Sequence, residues 1–75
     1  MKKFFYMAEG GRLQTMHFTS PEMVYSAIAC YYMPDRKVIV IDAETNEASI
    51  FTRKLDENGN LISITEHLRG ITVDA

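Results

Sequence analysis

His17, His67 and Cys30 are the only imidazole and thiol groups in the chain. Metal sites and nucleophilic pairs need such side chains grouped at short, regular spacings. The two histidines lie far apart in sequence, and neither has a His or Cys companion at ligand spacing. They read as strand-surface histidines. A Cys–His pair is formally open to Cys30, but a reactive thiol needs a nearby cation or a helix N-terminus. Cys30 falls late in a helical stretch and reads as a small core hydrophobe.

The oxygen-rich segments are no more specific. Asp56-Glu57-Asn58-Gly59-Asn60 imitates the start of an EF-hand loop, which next requires Gly at position 6 and Glu at position 12. Leu61 and His67 stand there, so the segment reads as a hairpin turn. Asp42, Glu44 and Glu47 gather at another turn, where a solvated, aggregation-blunting loop is the plainer reading. Gly10-Gly11 lacks the frame of a phosphate loop and opens no helix. Arg53-Lys54 beside Thr52 and Thr65 suggests an RNA-binding sheet face, which would need exposed aromatics. The only aromatic in that hairpin is Phe51, and the expected register turns it inward.

These side chains sit on elements that can be read in order. Lys3–Ala8 and Leu13–Phe18 flank Glu9-Gly10-Gly11-Arg12, and a Gly-Gly pair between apolar runs signals a tight hairpin. That loop sets Ala8 against Leu13, Tyr6 against Thr15 and Phe4 against His17. Thr19-Ser20-Pro21-Glu22 offers a capping hydroxyl, a first-turn proline and an early acid. Thr19 and Glu22 also have capping-box spacing. The helix is expected from Pro21 to Tyr32 or Met33, stopped by Pro34.

Val38-Ile39-Val40-Ile41 is a continuous β-branched run, the mark of a central strand buried on both faces. Ala48–Leu55 and Asn60–Leu68 follow around Asn58-Gly59. A two-residue turn pairs Leu55 with Ile62, Arg53 with Ile64 and Phe51 with Glu66, and makes Arg53 and Glu66 diagonal neighbours. Phe51, Leu55, Ile62, Ile64 and Leu68 then share one face. A turn near Thr45-Asn46 pairs Val40 with Phe51 and Ile41 with Ile50. Val38 and Val40 join the core face, while Ile39, Ile41 and Ile50 form a second apolar patch behind it. The expected fold is α+β: one domain over residues 1–75, with a helix on an antiparallel sheet of about five strands in the order ββαβββ.

The helix itself carries the strongest functional signal. From Met23 to Met33 only Ser26 is strongly polar. One stripe, Val24, Ala27, Ile28 and Tyr31, suffices to pack on a sheet. Tyr25, Ala29, Tyr32 and Met33 then fall on the outer side, with Met23 at the border. A helix apolar all round is normally buried all round, and Tyr and Met are enriched at interfaces. The expected interface residues are therefore Met23, Tyr25, Ala29, Tyr32 and Met33, with Ile39, Ile41 and Ile50 as a second surface.

Composition bounds the reading further. The chain has 75 residues, 47% of them apolar and 24% charged, and a net charge of −2. That length excludes a multidomain enzyme, and a single cysteine excludes an internal disulfide. The pI of about 5.5 and the scattered pairs Lys2-Lys3, Arg36-Lys37 and Arg53-Lys54 speak against nucleic acid as the main partner. The apolar run after Lys3 is too short for a signal peptide, and no run has the length of a membrane span. The expectation is a cytoplasmic protein-binding module that is no enzyme and takes no metal, cofactor or small-molecule substrate. It would act by stoichiometric contact and self-associate as a homodimer. In size, fold and lack of motifs the chain is similar to phage-encoded inhibitors such as anti-CRISPR proteins, which act by binding a host complex. The three basic pairs keep a nucleic-acid-binding regulator open. An oligomeric enzyme or ligand-binding subunit would have to use His17, His67 and Cys30.

Overall fold

The two-residue period of a strand sends Phe4, Tyr6 and Ala8 of Lys2–Ala8 (β1) to one side, where all three are buried. The computed structural model describes residues 1–68, with the backbone alone for Ser63, Ile64 and 66–68. The other elements are β2 (Gln14–Phe18), α1 (Pro21–Ile28), β3 (Val38–Asp42), β4 (Ala48–Leu55) and β5 (Leu61–Leu68). The five strands form one sheet in the order β2-β1-β3-β4-β5, every neighbouring pair antiparallel. With one helix across it, the arrangement is α+β, as the sequence leads one to expect. The β-branched strand β3 takes the centre, between β1 and β4. Among the described residues, no helix is long and apolar enough to cross a membrane.

The core lies between α1 and one face of the sheet. Phe4, Val24, Val38 and Val40 are completely enclosed, and Tyr6, Ala8, Tyr25, Ile28 and Phe51 complete the cluster. Each such large side chain contributes about 1.5–3 kcal/mol by leaving water. Ser20 caps the helix, its Oγ accepting from the Met23 N–H at 3.2 Å, so the capping residue is Ser20 rather than Thr19. The α-helix ends earlier than expected. After Ile28 it tightens into a single 3₁₀ turn, Ala29–Tyr31, and Tyr32 is already extended. The Arg53 guanidinium accounts for this end, because its Nη2 donates to the carbonyls of both Ala29 and Tyr32. Those carbonyls are thereby satisfied without another helical turn.

Three strand registers differ from expectation, those of the first and last hairpins each for a reason in its turn. In the first hairpin Tyr6 faces Gln14, Phe5 faces Thr15 and Phe4 faces Met16, one residue from the expected pairing. Only Gly10 takes positive φ, within a turn closed by the Gly11 N–H on the Ala8 carbonyl at 2.9 Å. The symmetrical two-glycine turn is therefore not formed. In the last hairpin Leu55 faces Leu61, Lys54 faces Ile62 and Phe51 faces Thr65. Here Asp56 Oδ1 accepts from the N–H groups of Asn58 and Asn60, and Gly59 alone has positive φ. That makes a three-residue loop ending in a left-handed glycine, one residue longer than the Asn-Gly turn, so the register slips by one.

Ile62 consequently stands with Lys54 instead of with Leu55. Glu66 stands opposite Ile50, and Arg53 opposite Ser63, so the expected Arg53–Glu66 neighbourhood does not form. Between β3 and β4 the slip is two residues, with Val38 opposite Phe51 and Ile39 opposite Ile50. A two-residue slip keeps every side chain on its face, so Val38 and Val40 remain in the core.

Candidate interaction surface

The side of the sheet turned away from α1 carries a second apolar layer. Phe5 of β1 pairs with Ile41 of β3, which pairs with Ala48 of β4. One rung along, Met7 pairs with Ile39, which pairs with Ile50. Directly opposed side chains of this kind form continuous rows across a sheet. Ile41 and Ala48 are buried within their row, whereas Phe5, Ile39 and Ile50 remain half-buried and Met7 exposed. A shallow depression of about 220 Å³ opens between Met7, Ile39 and Ile50, rimmed by Glu9 and Lys37. No described element covers these rows.

The helix meets the sheet through a different stripe from the one expected. Val24, Tyr25 and Ile28 are buried, and Ala29 and Tyr32 pack partly buried against the core. Tyr25, expected to face outward, is 6% exposed and stacks on Phe51 with ring centroids 4.8 Å apart. Tyr31, expected to face inward, is 80% exposed. Since the helix is apolar on all sides, its periodicity could not set its rotation. The need for an aromatic above Phe51 sets it instead. Tyr25, Ala29 and Tyr32 thus belong to the core side, and of the outer set only Met23 and Met33 are exposed, the first in the opening turn of α1 and the second beyond the end of the 3₁₀ turn.

The groups with chemical potential are dispersed. His17 is exposed opposite Lys3, and Cys30 is an exposed free thiol on the 3₁₀ turn. It is therefore not the core residue expected. His67 stands opposite Ser49 in the register, its side chain outside the described residues. Among the described residues, no three His, Cys, Asp or Glu side chains are placed to hold a metal ion.

The carboxylates at the turns serve the backbone. Asp42 Oδ1 accepts from the N–H groups of Glu44 and Thr45, and Oδ2 accepts from Lys2 Nζ at 3.2 Å. Partial burial raises the Asp42 carboxyl, but the backbone N–H of Glu44, the Lys2 ammonium and the Thr45 N–H outweigh it and hold the group below its ordinary 3.8. Glu9 ties the start of β3 to the end of β1. Its N–H donates to the Lys37 carbonyl, its carboxylate accepts from the Lys37 N–H, and its own carbonyl accepts from Arg36.

Two features are not visible in the sequence pattern: the role of Arg53 at the helix end, and the transfer of Ile62 to the helix-free side. The second follows from the three-residue loop at Glu57-Asn58-Gly59, for which Asp56 was the available signal, since an Asx side chain readily caps such a turn; the first follows from the pairing of β4 with β3, which sets Arg53 on the helix side. No protein-family model, no curated protein and no solved structure matches the chain, so the surface itself is what bears on function.

Proposed function

We propose that the protein is a small cytoplasmic binding module that acts by stoichiometric association with another protein and performs no chemistry. One observation carries the reading: Met7, Ile39 and Ile50, with Phe5 beside them, leave exposed and half-buried apolar side chains on a sheet face that no described element covers. A two-layer α+β domain ordinarily solvates that face with polar side chains, and contiguous apolar patches on it mark interaction sites. Lys3, Lys37 and Lys54 rim the face as a polar margin, the usual anatomy of an interface. A cytoplasmic setting agrees with the single free thiol of Cys30. Occupying a partner's surface in this way is also how a stoichiometric inhibitor works.

Ile50→Lys tests the reading, because Ile50 is only half-buried and the substitution leaves the helix-side core intact. Tagged wild-type protein, captured from cells in which it naturally occurs, should retain one partner at near equimolar amount. Ile50→Lys should lose at least tenfold of it, the effect of removing one interfacial hot spot, while its circular dichroism stays unchanged. Equal retention by both proteins, or no stoichiometric partner for the wild type, would reject the sheet face as the binding surface. Retention of nucleic acid that collapses between about 50 and 200 mM salt would replace this reading with a nucleic-acid-binding one.

A further inference from the structure

We propose that the tip of the β4–β5 hairpin is a self-association arm through which two copies of this chain pair about a two-fold axis. The arms lie antiparallel, the tip of each against the base of the other. The arm lies beyond the apolar rows of the helix-free sheet face and shares only its margin, Lys37, Lys54 and Ile62, with it, and Ile50→Lys keeps the two readings distinguishable.

The arm is defined by where pairing stops. β4 pairs with β3 only as far as Phe51. The Arg53 carbonyl still accepts the Asp35 N–H at 2.6 Å. From Lys54 through the loop to Ile62, the described hydrogen bonds join β4 only to β5 and the turn between them. A two-stranded ribbon on its own is marginally stable in water. This one is also apolar on both faces. Leu55 and Leu61 face one another on the helix side and are 58% and 51% exposed, and Ile62 on the opposite side is 45% exposed.

Charge points to a second copy as the occupant, because the arm is complementary to its own base. Asp56 and Glu57 stand at the tip, while Arg36, Lys37, Arg53 and Lys54 outnumber Glu9 and Asp35 around the root of the arm, where β3 begins. An antiparallel two-fold pairing sets each acidic tip against a basic base and brings Leu55 and Leu61 of the two copies together. The contact is isologous and closes at two copies.

Light scattering behind gel filtration, from low micromolar to about 1 mM, tests this with four variants. Wild type should reach twice the chain mass. Leu55→Lys/Leu61→Glu places an ion pair across the ribbon at two exposed positions, so the hairpin is retained while its apolar contact is lost, and the protein should be monomeric. Ile50→Lys, on the other surface, should remain dimeric. Glu57→Lys should weaken the dimer three- to tenfold, and adding Lys37→Glu should recover most of that loss. A wild-type monomer throughout overturns the proposal. So does a dimer indifferent to the arm variant, or one abolished by Ile50→Lys alone, which would move the self-contact to the sheet face.

Discussion

Arg53 does more for the fold than its place in a basic pair suggests. Its half-buried guanidinium donates to the carbonyls of Ala29 and Tyr32, and its own carbonyl accepts the Asp35 N–H. One residue of β4 thus fixes both the end of the helix and the corner that leads into β3. Hydrogen bonds from a charged donor are worth about 1.5–3 kcal/mol, and part of that is discounted here because the side chain is partly solvated. Arg53→Met keeps the aliphatic stem and removes the donors. It should lower stability in urea titration by about 2 kcal/mol and speed hydrogen exchange at the Tyr32 amide, which closes the 3₁₀ turn on the Ala29 carbonyl. A loss under about 0.5 kcal/mol would show that water satisfies those carbonyls equally well. Arg53-Lys54 is visible in the sequence as a pair of charges, but the partners of Arg53 are backbone atoms from another element, which no side-chain pattern reveals.

At the scale of elements, the helix separates what patterning can and cannot resolve. Its start is legible in the sequence, because Ser20 and Pro21 are local signals with local geometry. Its rotation is not, because Tyr25, Ala29 and Tyr32 are as apolar as the competing stripe of Val24, Ala27, Ile28 and Tyr31. The two tyrosines Tyr25 and Tyr31 exchange roles, and substitution tells them apart. Tyr25→Ala removes a stacked, buried ring and should cost about 3–4 kcal/mol, enough to leave a domain of this size largely unfolded at moderate temperature. Tyr31→Ala should stay within about 0.5 kcal/mol of wild type. Thermal melts of the two proteins decide it, and equal losses would contradict the observed stripe. The strands teach a related lesson. Strand identity and the central place of Val38–Ile41 follow from composition, whereas hairpin register depends on loop length. The Asp56 side chain, bonding two backbone N–H groups, lengthens the last loop beyond what Asn58-Gly59 alone implies. The apolar patch of Ile39, Ile41 and Ile50 is legible despite the shifted pairing only because a slip of two residues preserves faces.

For the molecule as a whole, stability is distributed unevenly along the sheet. Val38 and Val40 are enclosed on the helix side and Ile41 on the other, with a paired strand on each flank of β3. The far end of the β4–β5 hairpin has no such support. Backbone amides of Val38–Ile41 should therefore exchange slowest, near the global unfolding limit, and those of Glu57–Asn60 far faster, their bonds to Asp56 opening locally. Native-state hydrogen exchange followed residue by residue checks this. Protection at Glu57–Asn60 comparable to β3 in dilute, monomeric protein would mean that the arm is held by contacts within one chain.

The seam between β1 and β3 shapes how the chain is made. It joins Phe4 to Asp42 and Ala8 to Val38, the beginning of the chain to its middle. During synthesis, β1 and β2 emerge first and can form only a two-stranded hairpin, which is marginal alone. Phe4 cannot be enclosed until α1 and the whole of β3 have followed it. At about 5–20 residues per second, that interval is on the order of a few seconds. Through it the nascent chain presents Phe4, Phe5 and Tyr6 on an unpaired strand edge, the stretch of its biosynthesis in which a holding chaperone has the most to protect.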